Sequence, residues 1–338
     1  MEAVLLRLAR AWVAAGRRVT LVVGDRRGPL AADLAPGIDL VDLDTRSYRD
    51  LVAAMPGIVR RTRPDVIFCP GNYYTSSVAW TRLVLGLASP PIVAKMSNAP
   101  DRGDHGVLHA IAHRRWLAMH GRFLDALVAM TPATGDTAAR LLRMEDRVHV
   151  IPNPPPPAAP AEAQPVQTDA PISAGRVVLG VGRLVAQKRW DRLVAALPAL
   201  PADVTLTILG DGPMRARLID QATAVSVVDR LHLPGHVADP RPAMAATRVV
   251  ALTSAFEGVP GVLRESLSVG TPVVATNSSE AIAEIVTDAS LGTIVDQDDR
   301  DALAAALRYW LDAPRPTPVP MPGGDAAARY LALFDSLA

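Results

Sequence analysis

The sequence predicts an α/β protein built from two doubly wound, Rossmann-like domains. Short runs rich in Val, Ile and Leu alternate along the chain with longer segments whose apolar residues recur at helical spacing. The apolar runs are unbroken, which is typical of parallel strands covered by helices on both faces. A proline- and alanine-rich stretch at 151–175 lacks this periodicity and divides the strands into two series.

The two series each contain five predicted strands. The first series comprises 19–23, 38–43, 65–69, 91–95 and 126–130. The second comprises 176–182, 204–210, 248–254, 271–276 and 291–295. Because open α/β sheets bind ligands beyond the carboxyl ends of their strands, we expect two such domains to face a cleft.

The breaks in the pattern predict the domain boundaries. We expect a first domain at 1–152, a stiff Pro-rich linker at 153–175, a second domain at 176–322 and a final helix at 323–338 that crosses back to the first domain. The chain opens on a helical pattern, EAVLLRLARAWVAAG, where a doubly wound domain should open on a strand. The first strand of the first domain, and the loop after it, are therefore expected to be missing.

Composition limits the classes of protein that fit. The chain has 338 residues, 49% of them hydrophobic, and its single cysteine, Cys69, excludes an internal disulfide and fits a reducing compartment. No apolar run reaches the length of a spanning helix, so we expect a cytoplasmic protein. Residues 1–150 carry 20 Lys and Arg against 14 Asp and Glu. This excess fits either an anionic partner, such as a membrane surface or a phosphorylated substrate, or an arginine-rich solvated surface.

Two cations follow the first strand of the second series. In VVLGVGRLVAQKRWDRLVAAL, a glycine turn is followed by Arg183 and Lys188 before a helix begins. A guanidinium and an ammonium at the mouth of a strand–turn–helix unit suit a pyrophosphate. The alternative is a glycine turn with exposed basic residues. The chain contains no Walker-type phosphate loop.

Two carboxylates flank another turn, in FEGVPGVLRESLSVGTPVV. Glu257 lies in the turn after a predicted strand, and Glu265 lies about one turn into the following helix. Gly258 and Gly261 allow the backbone to approach a ligand, and the start of a helix attracts anions. Carboxylates in this position can accept hydrogen bonds from the paired hydroxyls of a sugar. Taken alone, each glutamate fits equally well as an ordinary solvated residue near a helix start.

These motifs together resemble a known family. The ordered set GRL-x4-K, GDGP, LPGHV-x-D and E-G-x-P-x4-E followed by GTPVVAT, within 177–286, resembles the donor-binding half of glycosyltransferase family 4. Members of this family are retaining enzymes of the GT-B fold that use nucleotide-diphosphate sugars. Residues 1–150 resemble the acceptor half in layout, with weaker motifs.

The resemblance implies roles for individual residues. Arg183 and Lys188 would hold the diphosphate as it leaves, and Glu257 would contact hydroxyls of the donor sugar; these three are the expected catalytic residues. Glu265 would hold the ribose. The complete expected donor site comprises Gly182, Arg183, Lys188, Gly212, His236, Val237, Glu257, Gly258, Val259, Pro260, Gly261 and Glu265. No metal and no cofactor are expected beyond the donor itself.

The acceptor side is less well defined by its motifs. Many family members carry a histidine where this chain has Ser97 and Asn98; these two, with Arg102, are the expected acceptor-side residues. Downstream, His105, His109, His113 and His120 lack carboxylates at ligand spacing and fit a polar helix face better than a metal site. Another group could contact an acceptor phosphate or a membrane, or could simply be solvated: Arg114, Arg115, Trp116 and Arg122.

The sequence therefore predicts a metal-independent retaining hexosyltransferase with a glycan or lipid-linked acceptor, as in polysaccharide biosynthesis. Peripheral association with the inner face of a membrane is a further expectation, and nucleic acid is not an expected partner because aromatic residues make up only 4% of the chain. Three alternatives stay open. They are a GT-B epimerase or hydrolase of nucleotide sugars, a non-catalytic binding protein, and a glycosidase-type use of Glu257 and Glu265.

Overall fold

The structure is a computed structural model that describes residues 2–27, 34–98, 107–157 and 175–338, with backbone alone for 107–110. The chain forms two compact units. Unit 1 comprises Met1–Pro156 together with Pro322–Ala338, and unit 2 comprises Pro157–Met321. Every strand pair is parallel, and helices separate most consecutive strands, so the predicted α/β class is confirmed.

Unit 1 carries six strands and six helices among its described residues. The strands are β1 (Val19–Val23), β2 (Ile38–Asp42), β3 (Ile67–Cys69), β4 (Ile92–Lys95), β5 (Ala126–Ala129) and β6 (Val148–Val150). The helices are α1 (Glu2–Ala14), α2 (Tyr48–Thr62), α3 (Thr75–Leu85), α4 (Val107–Ala118), α5 (Pro132–Leu142) and the final helix of the chain (Ala326–Asp335), labelled α12 below.

The strands of unit 1 form two sheets. β1 pairs with β2, and β3 to β6 pair in sequence order. Within the described part of unit 1, no strand joins β1 to β3. Trp12 of α1 instead packs edge-on against Phe68 of β3 and Phe334 of α12, with ring centroids 5.4 and 5.2 Å apart. Because β4 alternates its side chains, Ile92 and Val93 enter different apolar clusters on the two faces of the larger sheet.

Unit 2 contains one six-stranded sheet and its covering helices. The strands are β7 (Arg176–Val181), β8 (Val204–Leu209), β9 (Leu231–Gly235), β10 (Val249–Leu252), β11 (Val273–Thr276) and β12 (Gly292–Val295). The helices are α6 (Trp190–Ala196), α7 (Arg215–Ala224), α8 (Arg241–Ala246), α9 (Gly261–Ser268), α10 (Ala281–Ile285) and α11 (Arg300–Asp312).

The strand order of unit 2 is β9-β8-β7-β10-β11-β12. The chain thus starts in the middle of the sheet, winds to one edge, and returns to wind to the other, which is the doubly wound arrangement. Val178 and Leu179 of β7 enter separate apolar clusters on opposite faces, since both faces are covered by helices. The order reverses between β7 and β10, and ligands of such sheets bind at the carboxyl ends beside that point.

Local signals position several helices. The Thr131 hydroxyl accepts a hydrogen bond from Thr134 N–H, and Pro132 occupies the first turn of α5, where its missing N–H has no helical partner to lose. The Asp299 carboxylate accepts from Ala302 N–H and starts α11. No helix in the described ranges is both long and apolar enough to cross a membrane.

Candidate active site

The loop after β7 is shaped around a tryptophan. Trp190 begins α6, and its indole N–H donates to the Arg183 carbonyl at 3.0 Å. A Cβ on Gly180 would lie 2.9 Å from the Trp190 ring. Only glycine therefore allows β7 to pass this close to the ring. A Cβ on Gly182 would lie 3.3 Å from Cε of Lys188. The glycines thus let the Lys188 side chain run close beside the end of β7.

Lys188 and Glu257 form an ion pair at the carboxyl ends of adjacent strands. Nζ of Lys188 donates to Oε1 of Glu257 at 2.6 Å, and the same oxygen accepts from the Ser254 hydroxyl at 2.6 Å. The side chains of Lys188 and Glu257 are only 16% and 10% exposed. Because both partners are largely removed from water, the interaction is stronger than a surface ion pair of the same length. The pair lies at the reversal point of the sheet.

Backbone hydrogen bonds join the loops around this pair. Ala255 N–H donates to the Gln187 carbonyl at 2.8 Å, and the Gln187 side chain donates to the Phe256 carbonyl at 2.8 Å. On the other side, Glu257 N–H donates to the Ser278 carbonyl at 2.9 Å, and the Ser279 hydroxyl donates to the Gly258 carbonyl. The loops after β7, β10 and β11 therefore form one hydrogen-bonded assembly that positions Glu257.

Glu265 lies near the start of α9. Pro260 precedes the helix in an extended conformation, and Gly261 is its first residue. The site of a Cβ on Gly261 lies 3.7 Å from Oε1 of Glu265, so the carboxylate folds back toward the helix N-terminus. Arg241 is held by two hydrogen bonds to Asp239, of 2.8 and 2.7 Å, which raise the pKa of its guanidinium; the charge of Glu265 raises it further. A carboxylate and a cation therefore lie near each other at this helix start.

The loops after β8 and β9 contribute mainly backbone. A Cβ on Gly212 would lie 2.5 Å from the Leu184 carbonyl oxygen, so this glycine brings the loop after β8 against the loop after β7. His236 is exposed, and Val237 packs on the apolar cluster beneath β10. Gly258 and Pro260 are buried, and Val259 is half-buried against that same cluster.

The structure brings some of the predicted residues together. Lys188 contacts Glu257, and Gly182 lies beside Lys188. Arg183 has an exposed side chain and forms no ion pair with any residue that the structure describes. Its guanidinium is therefore available at the end of β7, whereas the Lys188 ammonium is already paired.

In unit 1, an unpredicted asparagine organises the loops after β3 and β4. Oδ1 of Asn72 accepts from Ser97 N–H at 2.8 Å, and its Nδ2 donates to the Asn98 carbonyl at 3.1 Å. These loops border a cavity of about 250 Å³ whose lining includes Asn72, Tyr73, Asn98, His113 and Trp116. Arg102, the third residue expected on the acceptor side, lies outside the described residues.

The histidine-rich stretch contains a buried, hydrogen-bonded residue. His120 is 3% exposed, its Nδ1 lies 2.9 Å from the Trp116 carbonyl oxygen, and burial lowers the pKa of its imidazole. His105 and the side chain of His109 lie outside the described residues. Where side chains are described, no group of three or more His, Cys, Asp and Glu could hold a metal ion.

Several residues of the site escaped sequence reasoning. Ser254 shares Oε1 of Glu257 with Lys188, Gln187 bridges two loops, and Asn72 bridges two others. Ser254 carried a usable signal, because it is a polar residue at the carboxyl end of a buried strand. The sequence offers no such signal for Gln187 and Asn72, because the residues they bond to are distant in the chain.

Comparison with known families assigns both halves of the chain. The model for glycosyl transferases group 1 matches residues 169–320, and the model for Glycosyltransferase Family 4 matches residues 1–157. Together these matches cover nearly the whole chain. The chain belongs to the group 1 glycosyltransferases of family 4.

Two curated relatives of this family 4 chain are similar over part of their length. A lipopolysaccharide core biosynthesis glycosyltransferase, LpsE of Rhizobium meliloti, is 33% identical over 55% of this chain and 54% of its own. An N-acetylgalactosaminyltransferase of Campylobacter jejuni, which acts on a diphospho-undecaprenol-linked sugar by its name, is 30% identical over 40% of this chain and 38% of its own. The chain thus spans about half or less of the length of these relatives.

A solved structure shows that the GT-B fold extends over the family 4 chain. HepE from Anabaena, crystallised with UDP and glucose, matches with a TM-score of 0.76 at 18% identity. The match covers 99% of this chain and 91% of HepE. The expected GT-B fold is therefore confirmed.

Proposed function

We propose that the chain is a retaining, metal-independent hexosyltransferase that moves a sugar from a nucleotide-diphosphate donor to a glycan or lipid-linked acceptor. The observation that supports this most directly is the Lys188–Glu257 pair at the reversal point of the unit 2 sheet. It places a cation suited to a diphosphate beside a carboxylate suited to sugar hydroxyls. The names of the relatives, and the UDP and glucose bound to HepE, support the same class of donor and acceptor.

Breaking the bond between the sugar and the diphosphate leaves negative charge on the diphosphate. Lys188 and Arg183 would stabilise that charge. The loops that carry them are already hydrogen-bonded in place, so only the Lys188 side chain has to change its partner. This is the physical basis for proposing a reaction that needs no metal. Without donor, Glu257 neutralises Lys188; with donor, the diphosphate pairs with Lys188 and the Glu257 oxygens accept from sugar hydroxyls.

The nucleotide is proposed to bind at the start of α9. Glu265 folds back toward Gly261, where it can accept hydrogen bonds from both ribose hydroxyls. The positive end of the helix dipole at the first turn of α9 attracts the diphosphate. The backbone around His236 and Val237 is proposed to contact the base.

The acceptor is proposed to bind in unit 1, at the cavity beside Asn72 and Asn98. Its lining combines amide groups with the rings of Tyr73 and Trp116, which suits the polar rim and apolar faces of a sugar ring. Ser97 is held at its edge by Asn72. We further propose that the protein works in the cytoplasm, in peripheral contact with the inner face of a membrane, where lipid-linked acceptors are found.

Thermal unfolding with candidate donors tests the proposal. The purified chain is heated with UDP, GDP, ADP or their sugars, each with and without EDTA. A ligand at about 100 times its dissociation constant stabilises the folded state by about 2.7 kcal/mol, which is readily measured. We expect one nucleotide series to stabilise the protein despite EDTA.

Variants of unit 2 test whether the nucleotide binds at the proposed donor site. Lys188→Ala and Glu265→Ala are expected to abolish stabilisation, whereas Arg308→Ala, an exposed arginine of α11, should leave it unchanged. The proposal fails if no nucleotide or nucleotide sugar stabilises a chain shown to be folded. Stabilisation that disappears with EDTA would contradict metal independence alone.

A further inference from the structure

Helix α3 presents its polar residues to the core. Thr75, Ser77 and Thr81 are buried, with exposures of 4%, 4% and 0%. Each hydroxyl donates to a carbonyl within its own turn: Thr75 to Asn72, Ser77 to Tyr74 and Thr81 to Ser77, at 2.7–2.9 Å. These residues need no partner from the rest of the core, and they leave the inner face of α3 only weakly apolar.

The outer face of α3 is apolar instead. Trp80, Leu83 and Val84 are 43%, 73% and 37% exposed, and Leu87, in the turn that follows, is fully exposed. The spacing of Trp80, Leu83 and Val84 by three and four residues places these three in one stripe along the helix. A surface helix of a soluble domain normally has the opposite polarity. This reversed polarity indicates that the outer face of α3 is covered by a surface outside unit 1.

Helix α4 also carries exposed apolar residues. α4 and α3 both pack on the same apolar cluster, on one face of the larger sheet of unit 1. Arg82 of α3 donates to the Phe123 carbonyl just beyond α4, at 3.4 Å. Ile111 of α4 and Met119 after it are 48% and 43% exposed. The α3–α4 patch is defined here as Trp80, Leu83, Val84, Leu87, Ile111 and Met119.

The described charges around this patch are mostly positive. Arg82 pairs with Asp125, and Arg122, just beyond α4, is exposed. Arg114 and Arg115 are exposed on α4, and Arg60 and Arg61 are exposed at the end of α2, which packs beside α3. An apolar stripe bordered by exposed arginines is complementary to an anionic lipid surface.

We propose that the α3–α4 patch is the surface by which the protein docks on an anionic membrane. Trp80 and Leu83 enter the headgroup region, and the arginines of α4 and α2 pair with lipid phosphates. A second copy of the chain fits less well, because a two-fold interface would bring the same arginines against each other. This inference deepens the proposed membrane association by naming its surface, and it is independent of the donor site.

Vesicle sedimentation tests the proposal on the full chain. The probes are vesicles of phosphatidylcholine alone and of phosphatidylcholine mixed with phosphatidylglycerol. We expect binding to the anionic vesicles only.

Variants of the patch test which residues make the contact. Leu83→Gln with Leu87→Gln should weaken vesicle binding at least about tenfold, since the two leucines are no longer buried in the lipid. Arg114→Gln with Arg115→Gln should weaken it about tenfold. Tyr309→Gln, which changes a 62% exposed ring in unit 2, is the control and should bind like the wild type.

A spectroscopic readout locates the contact. Trp12, Trp190 and Trp310 are at most 5% exposed, so quenching by brominated lipid should report on Trp80 and on Trp116, which is half-buried on α4. We expect quenching in the wild type that falls in Trp80→Phe to the level that Trp116 alone gives. Nucleotide-dependent unfolding in the same samples shows separately whether unit 2 binds a donor.

Three results would overturn the proposal. In the first, folded wild-type protein binds no anionic vesicle, which also removes the proposed association. In the second, the leucine variant binds as well as the wild type, so another surface is used. In the third, the wild type is a dimer that ignores vesicles and the leucine variant is a monomer, which assigns the patch to a second copy.

Discussion

Nζ of Lys188 lies 2.6 Å from Oε1 of Glu257, although 69 residues separate the two in the chain. They meet because β7 and β10 are hydrogen-bonded neighbours, with Val249 paired to Val178, so the loops at their carboxyl ends are adjacent. The Ser254 hydroxyl and the backbone of Ser278 hold the glutamate in place. One of the two lysines in the chain is therefore fixed against a carboxylate at the carboxyl ends of the strands, the edge where doubly wound sheets in general bind ligands.

Removing one partner of this ion pair should be costly. Glu257→Gln leaves the Lys188 ammonium largely buried without a counter-charge, so we expect a loss of about 3 kcal/mol in the free energy of unfolding. The double variant Lys188→Met, Glu257→Gln should recover much of that loss. Urea unfolding of both single variants and the double variant measures the coupling. Purely additive losses would show that the pair does not interact in solution.

A methyl group at Gly210 should separate two loops of the site. Its Cβ would lie 2.0 Å from the Gly182 carbonyl oxygen, so the loop after β7 must move. We expect Gly210→Ala to cost about 2 kcal/mol or more in unfolding free energy and to weaken nucleotide binding. Gly175→Ala, where a Cβ meets nothing within 4 Å, is the control. Equal behaviour of the two variants in calorimetry would contradict this expectation.

Asn72 should hold the acceptor-side loops together without affecting the donor site. Asn72→Ala removes the acceptor of the Ser97 N–H, so we expect exchange of that amide to accelerate by about tenfold. Asn72→Asp retains the accepting oxygen and should protect Ser97 nearly as well. Hydrogen exchange followed by mass spectrometry measures both, and nucleotide-dependent unfolding should be the same in all three proteins. Unchanged exchange in the alanine variant would rule out this role.

Lys95 should make stability depend on alkaline pH. Burial, and to a lesser extent the charge of Arg7, lower the pKa of its ammonium from 10.5 to about 8. Between pH 8 and 10.5 the unfolded chain therefore binds more protons than the folded one, so stability rises with pH. Across that window the wild type should gain about 3 kcal/mol relative to Lys95→Met. Parallel pH curves from urea unfolding would show that Lys95 titrates normally.

The central strands were all predicted, and the two strands that the prediction missed lie at sheet edges. β7 and β10 were expected at 176–182 and 248–254 and lie within those ranges, because a strand buried on both faces is continuously apolar. β6 and β9 were not predicted as strands. Both lie at sheet edges, and their sequences, VHV and LHLPG, mix polar residues and proline with apolar ones. An edge strand is partly solvated, so its composition carries little of the apolar signal.

By itself, the sequence determined that this chain is a family 4 protein of two α/β units with Lys188 and Glu257 at strand ends. Unbroken apolar runs and glycine turns are local properties, so each can be recognised within a single segment of the sequence. Only the tertiary structure decided that Lys188 pairs with Glu257, that Asn72 joins two loops, and that α3 turns its apolar side outward. These contacts depend on which strands become neighbours and which helix face meets the sheet, and no local segment encodes that choice.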